Sequence, residues 1–371
     1  MKLTLVCPCL LGIEGLVADE LRALQCENVR SENGRVYCDG DMQTVARINI
    51  NARYAERVMI LLKNFQALSF EELFQGVKSI PWEQLLLKED TFPVSGSSVK
   101  SQLFSISDCQ AIIKKAIVER LKEKYNISWF EETGPLHKVR FWIMKDQVSI
   151  MIDTSGNGLH KRGYRKNALE APIKETLAAA VAKLARVRSD GTIIDPFCGS
   201  GTILIEALML AKNMAPGVKR KFNAEDWLNI PKKIWREERE RAESLVLQDA
   251  KVQAFGFDIE DEAIELTIAN AKKAGVFAHL KAQKRDIRDF KAETDYGCVL
   301  ANPPYGERLL DREGAAELYR VMGKVFTPKR GWSYSIITPE DQFEKLFTKK
   351  ADRRRKLYNG MIPCQLYMYY K

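Results

Sequence analysis

"GTIIDPFCGSGTILIEALMLA" occupies residues 191–211. A short β-branched run ends in Asp195. A proline and a glycine-rich turn follow, and then an apolar stretch of good helix formers: strand, turn, helix. A glycine turn at that junction lets the backbone approach a ligand closely and aims free helical N–H groups at it. The spacing is neither the dinucleotide-binding G-x-G-x-x-G nor a phosphate loop closing in Gly-Lys-Ser/Thr. The strand ends instead in a carboxylate, which would repel a pyrophosphate but suits a ligand bearing an ammonium group.

The same texture continues downstream. "KVQAFGFDIEDEAIELTIANAKKAG" (251–275) reads strand, acidic end, helix, with Ile264, Thr267, Ile268 and Ala271 on one face. "HLKAQKRDIRDF" (279–290) predicts a third strand ending near Asp286, "YGCVLANPPYG" (296–306) a fourth and "WSYSIITP" (332–339) a fifth. Alternating strands and helices from about residue 165 imply a parallel sheet with crossover helices. In "KLYNGMIPCQLYMYY" (356–370), Asn359-Gly360 between two strand-like runs predicts a closing type I′ hairpin. The charged segment 219–245 reads as a solvated helical insertion.

Upstream, the chain alternates differently. Residues 1–65 hold the amphipathic "GIEGLVADELRAL" (12–24) and the short strand "GRVYCDG" (34–40). Residues 66–155 form a second α+β unit. Its clearest helix is "SISDCQAIIKKAIVERLKEKY" (105–125), with Ser107 and Gln110 placed for a capping box. "HKVRFWIMKDQVSIMIDTS" (137–155) predicts two strands around Lys145 and Asp146.

With 371 residues and 46% hydrophobic content, the chain can bury several cores. No apolar run reaches the roughly 18–20 residues of a membrane span. "MKLTLVCPCLLGIEGL" (1–16) reads as a first strand rather than a signal peptide. Eight scattered cysteines and three histidines give no metal-binding spacing and suggest reduced thiols in a cytoplasmic protein. Net charge is +9, unevenly spread: residues 1–160 hold 19 Lys+Arg against 20 Asp+Glu, and the remainder 39 against 29. That balance favours an acidic partner such as nucleic acid.

Three acids at the ends of successive strands, with the glycine turn between the first two, define a ligand. Asp195 suits its ammonium group. Asp258 can accept from both ribose hydroxyls, and Asp286 from an adenine amino group. Together they describe a site for S-adenosylmethionine. "NPPY" at 302–305 then supplies the other half of the chemistry. An exocyclic base amine is a poor nucleophile until its lone pair is localised and aimed. The Asn302 oxygen and the Pro303 carbonyl, left without a competing N–H at Pro304, can accept its two hydrogens. Tyr305 offers a stacking face for a flipped base, and Gly306 permits the turn beneath it. Cytosine-C5 chemistry is disfavoured, because Tyr305 follows Pro304 where a nucleophilic cysteine would be needed, and Cys298 lies earlier in the strand.

"DPFCGSGT" (195–202) and "NPPYGERL" (302–309) resemble motifs I and IV of Rossmann-fold amino-methyltransferases. "SGNGLHKRGYRKNALEAPIKETLAAA" (155–180) resembles the junction and motif X of the THUMP-domain RNA methyltransferases. That family includes enzymes making N2-methylguanine in bacterial 23S rRNA and in archaeal tRNA. The resemblance implies a ferredoxin-like domain over 1–65 and a THUMP RNA-binding domain over 66–155. A basic linker over 156–168 and a class I S-adenosylmethionine-dependent methyltransferase domain over 169–371 complete the expected α/β architecture. It implies cofactor contacts from the loop residues Asp195, Phe197, Gly199, Gly201 and Thr202. It implies others from Asp258, Asp286, Ile287 and, through motif X, Thr176. Asn302, Pro303, Pro304 and Tyr305 fall on the target-base motif.

The partner implied is RNA, ribosomal before transfer RNA, with no membrane and no obligate protein partner. The linker "LHKRGYRK" (159–166) is the best basic-aromatic cluster: Lys161, Arg162, Arg165 and Lys166 for phosphates, Tyr164 for stacking. "KKADRRRKL" (349–357) is a second candidate. Two other readings stay open: adenine-N6 methylation of RNA or DNA, since the motif serves either exocyclic amine, and a non-catalytic RNA-binding factor built on a methylase fold.

Overall fold

The computed structural model of the chain describes residues 2–127, 129–165, 173–228, 230–305 and 312–370. Two seven-stranded sheets carry the fold. The first is built from β1 (Leu3–Pro8), α1 (Glu14–Ala23), β2 (Glu27–Glu32), β3 (Arg35–Gly40), α2 (Met42–Asn51) and β4 (Met59–Gln66). It continues through α3 (Phe70–Lys78), β5 (Val94–Val99), α4 (Ile106–Tyr125), β6 (Lys138–Met144) and β7 (Gln147–Asp153). The strand order is β2-β3-β1-β4-β7-β6-β5, antiparallel except for β5 with β6. The stretches 1–65 and 66–155 therefore share one sheet. Strand β4 is the seam, pairing with β1 on one side and along its length with β7 on the other.

Local chemistry explains most of these elements. In α1, Val17, Ala18 and Leu21 are buried one turn apart. Helix α4 buries Ile113, Ala116, Ile117 and Leu121, but its cap is Ser105, whose hydroxyl accepts from the Asp108 N–H. The sequence expectation of Ser107 as cap is corrected by two residues. Lys145 and Asp146 both take positive φ (49° and 64°), as a type I′ turn requires.

The second sheet follows α5 (Glu175–Leu184). Its elements are β8 (Thr192–Asp195), α6 (Thr202–Ala211), α7 (Lys232–Ser244), β9 (Gln253–Asp258), α8 (Asp261–Ala274) and β10 (Leu280–Lys284). Then come β11 (Gly297–Ala301), α9 (Arg312–Val325), β12 (Trp332–Thr338), α10 (Phe343–Phe347), β13 (Arg353–Asn359) and β14 (Ile362–Tyr370). The order β10-β9-β8-β11-β12-β14-β13 is parallel through β12, and β14 inserts antiparallel between β12 and β13. This is the class I methyltransferase arrangement. The reversal between β8 and β11 opens a crevice at the carboxyl ends of the strands. The hairpin turn itself is Gly360-Met361, since Asn359 still pairs with Ile362. Among its residues only Gly360 has positive φ (64°), which fits a type II′ turn and not the expected type I′.

The two sheets are locked together through buried charge. The Arg47 guanidinium on α2 holds both oxygens of Glu238 on α7, and Glu238 is fully buried. Segment 219–245 is thus an interdomain brace rather than the solvated insertion expected. Arg355 on β13 donates to the Gly12 carbonyl, and Gly217 donates to Ile50 O. No helix among the described residues is long and apolar enough to cross a membrane.

Candidate active site

Four neighbouring parallel strands, β10, β9, β8 and β11, end side by side, and each delivers a polar side chain to the same rim. They are Asp286 after β10, Asp258 on β9, Asp195 on β8 and Asn302 after β11. Register makes the placement concrete. Asp195 lies opposite Gly256, Lys284 opposite Asp258, and Val299 opposite Ile194.

Asp195 is almost wholly buried, and one carboxyl oxygen accepts from the Phe197 N–H at 3.0 Å. Burial, with the Asp258 carboxylate adding to it, pushes its pKa up to about 8. An acid held neutral beside an open loop is poised to ionise when a cation arrives.

The glycine turn is held from two sides. The Gly199 N–H donates to Asp258 Oδ2 at 2.9 Å, while Asp258 Oδ1 accepts from the Glu260 N–H at 3.2 Å. From α8, the Thr267 hydroxyl donates to Gly199 O and the Asn270 amide to Ser200 O, each at 2.9 Å. Both side chains are buried. Sequence reading placed Thr267 on an apolar face and passed over Asn270. The only available signal was two hydrogen-bonding side chains three residues apart on the face meant for the core. Gly201 caps α6 at φ +79°, and a Cβ there would sit 3.0 Å from Thr267, so a side chain would be strained and crowded at once. A Cβ on Gly199 would meet nothing within 4 Å. No side chain caps α6, so its first N–H groups are left for a ligand. Thr202 opens that helix and is buried beside the Ser200 hydroxyl.

These features fit S-adenosylmethionine. There is open space over Gly199, an ionisable buried acid at Asp195, and two carboxylates with free lone pairs at the rim. Phe197 packs on the apolar cluster that holds Ile287, Phe257 and Ile194. Asp286 caps the short turn after β10, accepting from the Arg288 N–H and pairing with its guanidinium at 2.8 Å.

On the substrate side, the Asn302 Oδ1 atom is buried and has no hydrogen-bond partner among the described residues. Buried carbonyl oxygens are nearly always satisfied, so an orphan acceptor at a strand end is free to take a donor from outside the chain. Pro303 is buried, and Pro304 and Tyr305 are half-buried. The Tyr305 hydroxyl accepts from Asn359 Nδ2 at 2.8 Å, a tie across 54 residues that the sequence did not suggest.

The expected RNA cluster is corrected. Arg162 is buried, donating to the Leu159 and Arg53 carbonyls at 2.6 and 2.5 Å, with its Nε 3.5 Å from Glu206. Tyr164 is buried too, its hydroxyl donating to Glu206 at 3.0 Å, and Arg165 pairs with Glu175 at 2.5 Å. Arg162 and Tyr164 are thus buried away from phosphates, and Arg165 is held against α5 by its ion pair. Lys161 alone is exposed, and Lys166 lies outside the described residues, as does Gly306. Thr176 is fully buried and donates to Glu56 at 2.6 Å, so its hydroxyl serves the contact with the first sheet rather than a cofactor. In the second basic run, Lys349 donates to the Gly323 and Phe326 carbonyls, Arg354 grips Glu344, and Arg355 holds Gly12.

Comparison with known proteins agrees with this architecture. Residues 162–368 match the family described as the RMKL-like methyltransferase domain, residues 4–59 the RlmL ferredoxin-like domain, and residues 67–153 the THUMP domain. YpsC of Bacillus subtilis (strain 168), provisionally named an RNA methyltransferase, is 41% identical over 371 residues, which span all of this chain and 96% of YpsC. The ribosomal RNA large subunit methyltransferase K/L of Syntrophotalea carbinolica is 32% identical over 370 residues. The match covers 96% of this chain but 52% of that protein, so the chain spans about half the length of the K/L relatives. Among solved structures, a Listeria monocytogenes protein named as a predicted N6-adenine-specific DNA methylase superposes with TM-score 0.95 at 44% identity, covering 100% of this chain and 96% of its own. SMU.472, a provisionally named methyltransferase crystallised with S-adenosylhomocysteine, gives 0.95 at 40% identity, covering 100% and 98%.

Proposed function

The chain belongs to the RMKL-like family of THUMP-containing RNA methyltransferases, and from that membership we propose that it methylates the exocyclic N2 amine of a guanine in large-subunit ribosomal RNA. The observation that carries the amine reading is the orphaned Asn302 oxygen. The ribosomal target is supported by the K/L relatives, and the cofactor by the S-adenosylhomocysteine bound to SMU.472.

S-adenosylmethionine, when bound, supplies an electrophilic methyl group on a sulfonium. Its ammonium end would meet Asp195 and the turn at Phe197–Gly201, its ribose Asp258, and its adenine Asp286 and Ile287. The protein's work is then aim. Asn302 Oδ1 and the Pro303 carbonyl accept the two amine hydrogens, which directs the lone pair toward the methyl and fixes a near-attack geometry. The same two oxygens stabilise the positive charge that grows on nitrogen during transfer. Tyr305 stacks the extruded base. The charged product amine is acidic enough to release its proton to water, so no strong base is required.

Asn302→Ala should bind S-adenosylhomocysteine and RNA normally while single-turnover transfer falls about 100-fold or more. Transfer at the wild-type rate refutes the role. Digestion of the product RNA to nucleosides, compared with N2-methylguanosine and N6-methyladenosine standards, decides the base. The second standard matters because the Listeria relative is named for adenine-N6 chemistry.

A further inference from the structure

Tyr305 is held at both ends. Its backbone follows two prolines, which fix φ at successive positions. Its hydroxyl, at the far end of the ring, accepts from the Asn359 amide at 2.8 Å. Cys364 lies beside the same phenol, buried, with its thiol 3.7 Å from Ile362 O. Asn359 is itself fixed by register. It is the last residue of β13, pairs with Ile362 across the two-residue turn, and belongs to a strand joined through β14 and β12 to β11, which Asn302 directly follows. One continuous ladder therefore sets the distance between the amine-aiming residue and the anchor of the stacking ring.

Building on the reading above, we infer that Asn359 is a positioning residue of the methyl-transfer site: its amide sets the plane in which Tyr305 receives the target base, which makes the β13–β14 turn part of the substrate site. A stacking ring free to swing about its side-chain torsions must be ordered each time a base arrives. A ring pinned at its hydroxyl is ordered in advance, and this lowers the RNA concentration needed without touching the reacting atoms. The Asn359 amide bonds the hydroxyl at the tip of the ring, and among the described residues the Cys364 thiol is the other group that interacts with that hydroxyl.

A double-mutant cycle tests the inference. Single-turnover methylation is measured across RNA concentrations for Asn359→Leu, Tyr305→Phe and the pair, with S-adenosylhomocysteine affinity and thermal midpoint measured alongside. Each single change should raise the half-saturating RNA concentration about 5- to 10-fold, the worth of one lost hydrogen bond. The saturating rate should fall less than that, and cofactor affinity should hold. The double variant should be no worse than either single, because both remove the same contact. Independent, multiplying effects would overturn the inference, as would an Asn359→Leu enzyme with wild-type half-saturation. Should Asn359→Leu fold poorly, Tyr305→Phe alone decides, since it deletes the contact and leaves the hairpin intact: unchanged half-saturation then overturns it. Failure here is distinct from failure of the functional reading. A slow Asn302→Ala beside an unaffected Asn359→Leu sinks only the positioning role, whereas a fast Asn302→Ala sinks the site.

Discussion

Asp195 should make cofactor binding depend on pH in a defined direction. Burial holds its carboxyl neutral up to about pH 8. A ligand ammonium pairs with the carboxylate, so binding must expel the proton. If the bound pair stays ionised throughout, apparent affinity tracks the ionised fraction of the free protein. With a pKa of about 8 that fraction rises about ninefold between pH 6 and pH 7. The window lies below the range where a ligand amine loses its own proton, so the ligand does not confound the slope. S-adenosylhomocysteine binding by calorimetry should therefore tighten about ninefold over that unit. Close to one proton should pass to buffer, seen as a dependence of the observed heat on buffer ionisation enthalpy. Asp195→Asn keeps the shape and removes the titration, so its affinity should be lower and flat with pH. The folded protein shows the same displacement with the opposite consequence. A raised carboxyl pKa means that the unfolded chain ionises first, so the stability contributed by neutral Asp195 is full below the ordinary carboxylate range and is lost as pH rises through about 8. Equal affinity at pH 6 and 7, or a slope that survives in Asp195→Asn, refutes the reasoning.

Arg162→Met should cost about 3–5 kcal/mol in urea denaturation, because Glu206 is left buried without its cation. The salt dependence of RNA binding should not change, whereas loss of a true phosphate contact would reduce the slope by about 0.7–0.9. Asn270→Ala strips the Ser200 carbonyl of its donor and should weaken S-adenosylhomocysteine binding by about 1–3 kcal/mol with the fold retained; unchanged affinity in the calorimeter would mean that the turn keeps its shape without α8.

What the sequence made legible is what local chemistry decides. Asp195, Asp258, Asp286 and Asn302 were readable as a rim because each ends a strand, and strand ends are marked by β-branched runs, turn residues and prolines within a few positions. The class I sheet followed from the same alternation. What stayed hidden was set by distant partners. Arg162 and Tyr164 have the composition of an RNA patch, and only Glu206 and the Arg53 carbonyl, 42 and 109 residues away, reveal them as bolts. Asn359 read as a turn former, since nothing nearby announces Tyr305. The slips at Ser105 and at Gly360 are smaller and of another kind. Two serines, and two residues that both favour turns, competed for one role, and sequence pattern does not resolve a shift of one or two positions.

Strand β4 has a consequence for how this protein can be taken apart. It lends one edge to β1 and the other to β7. A cut just after it would strip the seven-pair ladder to β7 and leave each fragment with a long row of unpaired N–H and C=O groups, the kind of edge that recruits other chains. The two N-terminal modules, separable by resemblance, are thus one cassette by hydrogen bonding. A chimera, a truncation or a natural recombination event that respects this ladder has its seam after β7, where the chain leaves the sheet at Asp153.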